Sequence, residues 1–164
     1  MITVVGVDPG LAATGVAVIK GLGLCIESYS YGVIKTSPKF KLQDRLNHIY
    51  TKFSSLLNAE KPDFMVVEDA FSLERYPKSG IALGKVTGVI LLAGCRKNVP
   101  VMEISVREAK QVLTGSGGAD KQQLEESVRR RLNHPNAIKP FHSADALALA
   151  MIGLFRGDNC SLLP

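Results

Sequence analysis

Apolar positions along this chain change their period from one stretch to the next, and each change marks an element. Residues 2–8, 14–20 and 25–35 are rich in Val and Ile and are separated by short Gly-containing breaks, the pattern of hairpin-connected strands. From Lys41 to Ala59, Leu42, Leu46, Ile49, Phe53, Leu56 and Leu57 recur at the spacing of one buried helix face, which ends before Pro62. Phe64-Met65-Val66-Val67 is a continuous apolar run closing on Glu68-Asp69, as expected of a strand covered on both faces and parallel to its neighbour. A second helix is predicted from about Ser79 to Lys97. Its Gly80, Gly84 and Gly88 recur every four residues and form a ridge that permits close backbone approach.

Val99 to Ile104 reads as a fifth strand. Ser105 and Glu108 then have the spacing of a capping box, and Gly115 suits the helix stop. After the loop Gly117-Gly118-Ala119, Asp120 and Gln123 are placed to cap a helix with Leu124, Val128 and Leu132 on one side, ended by Asn133-His134-Pro135. The last helix is predicted to start near Pro140, whose fixed φ suits a first turn, and to run through Ala144 to Phe155. Three strands, a helix, a strand, a helix, a strand and further helices define an α/β fold. One domain over residues 1–156 and a tail at 157–164 are expected, with no internal repeat.

Composition narrows this picture without changing it. With 164 residues, 46% hydrophobic and 21% charged, the chain is long and apolar enough for a packed core, which excludes a disordered or fibrous protein. The net charge of +5 favours an anionic partner such as nucleic acid, although it would serve solubility equally. Cys25, Cys95 and Cys160 are far apart, odd in number and without metal-ligand spacing, so they read as reduced thiols. Met1 to Val7 lacks the pattern of a signal peptide, and the longest apolar stretch, Ala146 to Phe155, falls well short of the roughly 20 residues that span a bilayer. A cytoplasmic protein with no membrane segment is expected.

Three carboxylates sit at element ends: Asp8 closes the first strand, Glu68 closes the fourth, and Asp145 falls in the first turns of the last helix. In open α/β sheets, sites form outside the carboxyl ends of strands, above all where the strand order reverses, so the three are expected to share a pocket. Buried carboxylates held together repel unless neutralised, and hard oxygen ligands suit Mg²⁺ or Mn²⁺ rather than zinc. Two such ions about 4 Å apart could clamp the attacking water and the leaving oxygen of a phosphodiester, which makes hydrolysis of that bond the expected reaction. Any one of these acids alone would read as a solvated strand end or a helix cap.

Longer motifs surround the acids. Val5-Gly6-Val7-Asp8-Pro9-Gly10 with Thr14-Gly15, Val66-Val67-Glu68-Asp69-Ala70-Phe71, Leu83-Gly84 with Gly88, and Ala144-Asp145-Ala146-Leu147-Ala148 together resemble the RuvC family of Holliday junction resolvases over nearly the whole chain. The resemblance implies an RNase H-like fold, a mixed five-stranded sheet flanked by helices. It implies that Asp8, Glu68 and Asp145 are metal-binding catalytic acids, with two Mg²⁺ (or Mn²⁺) ions in each site. It further implies symmetric nicking of four-way DNA junctions to 5′-phosphate and 3′-hydroxyl ends in recombination and repair. A homodimer, because two nicks need two sites, and cooperation with a branch-migration complex are implied as well. Lys110 and Lys121 match lysines that the family places around its active site, against the scissile phosphate.

One position departs from the family pattern: His142 stands where a further Asp often precedes the last acid by three residues. On a helix, His142 and Asp145 share a face about one turn apart and can address the same metal or water. His142 is expected to be a second-metal ligand or a proton carrier, with a structural histidine as the alternative. As a neutral ligand it would lower the negative charge of the second site, which predicts a preference for Mn²⁺ over Mg²⁺. The segment Phe71 to Lys78 interleaves aromatic and basic residues, Phe71, Arg75, Tyr76 and Lys78, a composition that stacks an unpaired base while cations hold phosphates. The resemblance likewise places Phe71 on DNA near the junction centre; otherwise Phe71 is a core residue.

Other features carry less. Gly115 to Lys121 lacks the Walker A pattern, Arg129-Arg130-Arg131 points in three directions round a helix, and His48 and His134 look ordinary. The glycines at 80, 84 and 88 mark either a homodimer surface or helix-on-sheet packing. An actin-like or sugar-kinase-like ATPase shares the Asp8-x-Gly10 and Thr14-Gly15 pattern but needs a second lobe, for which this chain has neither length nor motif. An RNA-processing nuclease of the same fold and a non-catalytic junction-binding protein are the remaining alternatives.

Overall fold

The computed structural model describes residues 1–69 and 77–157, the side chains of residues 77–79 excepted. In chain order the elements are β1 (Ile2–Asp8), β2 (Ala13–Leu22), β3 (Cys25–Lys35), α1 (Leu42–Glu60), β4 (Phe64–Glu68), α2 (Pro77–Arg96), β5 (Val101–Ile104), α3 (Val106–Thr114), α4 (Lys121–Arg131) and α5 (Phe141–Gly157). The strands form one mixed sheet in the order β3-β2-β1-β4-β5. The meander β1–β3 is antiparallel, and β4 pairs parallel with both β1 and β5, as its continuous apolar run predicts. The chain leaves β1 towards one edge of the sheet and returns on its other side as β4. The sheet's topological switch therefore lies between these two strands, beside Asp8 and Glu68.

Alternation along the strands divides the core in two. Val5, Val7, Val16, Val18, Met65 and Val67 face α1 and α2 through Ile49, Phe53, Val86 and Ile90. Val4, Ala17, Ile19, Phe64 and Val66 face α5, which α3 and α4 cover from outside. Residues Ser143 to Leu154 of α5 are accordingly buried without interruption. Leu147, Leu149, Met151, Ile152 and Leu154 are at most 1% exposed, and each contributes roughly 1.5–3 kcal/mol of burial before ordering costs.

Glycines set how closely α5 lies on the sheet. A Cβ at Gly6 would stand 2.0 Å from the Ala146 carbonyl oxygen, and one at Gly15 would stand 2.0 Å from that of His142. Only hydrogen fits at either place. These two positions of the opening motif thus let the start of α5 press against the carboxyl end of β1.

Boundaries differ from the sequence expectation by a few residues. β5 starts at Val101 rather than Val99, α2 starts at Pro77 rather than Ser79, and Gly157 belongs to α5 rather than to the tail. Residues 158–164, with Cys160, lie outside the described residues. Gly115 ends α3 at φ +80°, as expected. The Asp120 and Gln123 box forms completely, with bonds of 2.8 and 2.9 Å. Only half of the Ser105 box forms: Ser105 Oγ accepts from the Glu108 N–H, while the Glu108 carboxylate turns away to Arg156 of α5. Of the α2 glycines at 80, 84 and 88, Cβ atoms at Gly84 and Gly88 would meet nothing within 4 Å among the described residues, so helix-on-sheet packing does not account for these two.

Candidate metal centre

Asp8 shares the α5-facing side of β1 with Val4 and Gly6, and Glu68 shares that side of β4 with Phe64 and Val66. Since Val7 pairs with Val67, the two acids end neighbouring parallel strands side by side. From above, α5 adds His142 and Asp145. The His142 Nδ1 lies 2.6 Å from an Asp8 carboxylate oxygen, and potential ligand atoms of Asp8, His142 and Asp145 all fall within 4.8 Å of one another. Glu68 joins them through its carboxyl, which is within hydrogen-bonding reach of Asp8. Asp8 and Asp145 are only 6% and 7% exposed.

This crowding disfavours negative charge. Burial, then the hydrogen bond and charge of Asp8, push the Glu68 carboxyl up to about 9; Asp145 opposes its ionisation too. Burial, and after it the Asp8 charge, pushes Asp145 up to about 6, with Lys121, His142 and Lys110 pulling the other way. Hydrogen bonding to Asp8 raises the His142 pKa against its own desolvation. In the absence of a cation the cluster keeps protons that a divalent ion would displace. Carboxylate oxygens with one imidazole suit Mg²⁺ or Mn²⁺, so the donor set fits the expected cofactor class.

Local structure holds the first acid in place. The Thr14 hydroxyl donates to the Gly10 carbonyl at 2.8 Å, and the Thr36 hydroxyl and the Arg45 guanidinium both donate to the Leu11 carbonyl. The turn after Asp8 is thereby fixed from β2, from the end of β3 and from α1. The start of α5 is fixed from α4. Glu125, 4% exposed, accepts from the Ile138 N–H at 2.8 Å and pairs with Arg129 at 3.2 Å. His134 sits edge-on to Tyr29 and Tyr31, whose hydroxyls meet its Nδ1 and Nε2 at 2.8 and 3.2 Å.

The structure brings together Asp8, Glu68, His142 and Asp145, with Lys110 and Lys121 close enough to act on their charge. Phe71, Arg75 and Tyr76 lie outside the described residues, as does the side chain of Lys78. Arg129 and Arg130 pair with Glu125 and Glu126, and Arg131 bonds Ser127, so all three turn back onto α4. Sequence reasoning missed Thr36, Arg45, Glu125 and the tyrosine cradle of His134. The available signals were Tyr29-x-Tyr31 on one strand face and the i,i+4 spacing of Glu125 and Arg129.

A mixed sheet in this order flanked by helices is an RNase H-like fold, and the acids that meet at its switch point form a cluster that could hold a metal ion. A family model described as crossover junction endodeoxyribonuclease RuvC matches residues 4–153, and the chain belongs to this family of Holliday junction resolvases. Curated relatives of that name include those of Desulforamulus reducens, 36% identical over 148 residues (90% of each chain), and Caldicellulosiruptor saccharolyticus, 37% identical over 157 residues (95% of this chain and 94% of the relative). Among solved structures, T. thermophilus RuvC in complex with a Holliday junction substrate superposes with a TM-score of 0.88 at 31% identity, covering 96% of this chain and 95% of that one. The yeast mitochondrial Holliday junction resolvase, at 13% identity and a TM-score of 0.60 over 93% of this chain and 78% of the other, shares the fold. No helix among the described residues is long and apolar enough to cross a membrane.

Proposed function

We propose that Asp8, Glu68, His142 and Asp145 form one centre for two Mg²⁺ or Mn²⁺ ions, with which this endonuclease nicks four-way DNA junctions symmetrically, leaving 5′-phosphate and 3′-hydroxyl ends. The observation that carries this reading is the meeting of Asp8, His142 and Asp145 within 4.8 Å, with Glu68 on the adjoining strand end. Bound divalent ions would supply Lewis acidity to the scissile phosphate and to the attacking water. The three carboxylates hold that charge in place and, being on different elements, orient it rigidly. With its Nδ1 anchored on Asp8, His142 has Nε2 left as a ligand or as the acceptor of a proton from water. Lys121 and Lys110 stand where cations offset negative charge at the acids, and they contact the phosphate as its charge develops. Phe71, Arg75, Tyr76 and Lys78 hold the DNA near the junction centre.

Two nicks require two centres, so the enzyme works as a homodimer. Ile81, 62% exposed, and Leu92, 52% exposed, flank the open Gly84 and Gly88 on α2, an apolar face along which a second copy of α2 can approach closely. Residues 1–156 act as one nuclease domain in a cytoplasmic setting, and a branch-migration complex supplies mobile junctions. The test is incubation of a labelled mobile four-way junction and a linear duplex with Mg²⁺ or Mn²⁺. Paired nicks at symmetric positions of the junction, absent from the duplex, are expected. Equal cutting of both DNAs, or junction binding without any cutting, would overturn the reading.

A further inference from the structure

Among the exposed large apolar side chains of the described residues, one is aromatic: Phe40, 65% exposed. It lies in the loop between β3 and α1, with Lys39 and Lys41 as chain neighbours and Lys35 at the end of β3, all three exposed. None of these lysines takes part in an ion pair among the described residues. Phe40, Lys35, Arg45 and His48 line a cavity of about 260 Å³ whose single acidic wall residue is Asp44.

Core packing does not account for this aromatic, because most of its surface is in water. A hydrophobic staple would need an apolar residue in the first turn and a half of α1. The staple position is Arg45, whose guanidinium is committed to Thr36 and to the Leu11 carbonyl. The loop is nonetheless held in one shape: the Phe40 N–H donates to the Ser37 carbonyl at 3.2 Å, and the Lys39 N–H donates to the Ser37 hydroxyl at 3.3 Å. An exposed aromatic ring on a hydrogen-bonded loop among cations is a platform for a base whose flanking phosphates the cations hold.

The platform stands at the catalytic end of the sheet. β3 runs upward to Lys35, which pairs with Ala13 near the same edge at which Asp8 pairs with Gly15. Thr36 and Arg45 reach the Leu11 carbonyl, three residues beyond Asp8. Two strand spacings, about 10 Å, separate the ends of β3 and β1. At about 3.4 Å per nucleotide, that distance is about three nucleotides of a strand whose phosphate lies at the acids.

We propose that the loop from Thr36 to Lys41 is a further DNA-contact site, in which Phe40 stacks on an unpaired base a few nucleotides from the scissile phosphate while Lys35, Lys39 and Lys41 hold the adjoining phosphates. This rests on the junction-nuclease reading and adds to it a contact outside the metal centre. It also explains why so exposed a side chain is an aromatic rather than a polar residue.

The experiment measures binding of a synthetic four-way junction in EDTA by wild type, Phe40→Ala, Phe40→Leu and Phe40→Tyr, with 2-aminopurine placed in turn at each of the six positions around the junction centre. Phe40→Ala and Phe40→Leu are expected to bind about 5- to 100-fold more weakly and to lose the fluorescence change at one position, while Phe40→Tyr retains both. Unchanged affinity in all variants, or Phe40→Leu behaving as wild type, overturns base stacking. Thermal unfolding at the wild-type temperature in each variant separates these results from misfolding. A wild-type protein that binds the junction no better than duplex would instead defeat the junction reading itself, and the stacking proposal with it.

Discussion

Glycine recurs on both sides of the sheet, and the two sets do opposite things. Gly6 and Gly15 lie under α5, where an added Cβ would overlap a helix carbonyl at 2.0 Å; Gly84 and Gly88 lie on α2, where it would meet nothing within 4 Å. The first pair closes an interior contact and so places His142 and Asp145 over Asp8. The second pair leaves an open strip beside exposed Ile81 and Leu92. Glycine in a sequence therefore does not by itself say whether the space it leaves is filled within the fold or stays open on its surface.

Substitution by alanine separates the two sets most sharply. Gly15→Ala is expected to cost about 3 kcal/mol or more in urea unfolding and to abolish nicking, since α5 must lift away from the acids it completes. A stable, active Gly15→Ala enzyme would show that α5 is not held by this contact.

The next effect concerns the charge that this close packing creates. Asp145 and Glu68 have folded-state pKa values raised to about 6 and about 9. Their neutral forms stabilise the fold below the ordinary carboxylate range, near pH 4, and that stability is lost as pH rises through about 6 and then about 9. The raised His142 value acts in the same direction. Metal-free protein should therefore unfold at lower temperature at pH 8.5 than at pH 5.5. Saturating Mn²⁺ should restore about 2–3 kcal/mol at the higher pH and much less at the lower, because below about 6 protons compete for Asp145. Equal stabilisation by Mn²⁺ at both pH values, read by calorimetry, would place its binding elsewhere.

The smallest expected change is at the open pair. Gly84→Ala with Gly88→Ala should raise the intrinsic stability of α2 by roughly 0.5–1 kcal/mol per site, because helix propensity improves and no contact is lost. Sedimentation should show weaker self-association of the same variant, since the added methyls hold a second α2 apart. Unaltered association would move the dimer contact away from this strip.

The fold was legible where the physics is local. The unbroken apolar run Phe64 to Val67 announced a strand covered on both faces, and Asp120 with Gln123 announced a helix start that forms in full. The Ser105 start was half right, because Glu108 finds Arg156, 48 residues away, a partner that no local pattern reveals. That Asp8, Glu68 and Asp145 would lie near one another was legible from their positions at element ends, and the geometry places Asp8 and Asp145 with His142 and leaves Glu68 on the adjoining strand end. Their supports were not legible. Arg45 reaches back 34 residues to Leu11, and His134 reaches over 100 residues to Tyr29 and Tyr31, contacts set by the course of the chain rather than by spacing. The α2 glycines were ambiguous for the same reason, since sequence does not say which face of a mostly apolar helix is covered.

The central claim is that four side chains from three elements act as one centre, and single-turnover nicking of a four-way junction tests it most directly. Asp8→Asn, Glu68→Gln, Asp145→Asn and His142→Ala would each be compared with wild type at saturating Mn²⁺, with junction affinity measured separately in EDTA. Each variant is expected to bind the junction normally and to nick it at least about 10² to 10³ times more slowly, because removing one member disables the unit. A variant that nicks at the wild-type rate would remove its residue from the centre, and a full rate in Asp8→Asn would contradict the account as a whole.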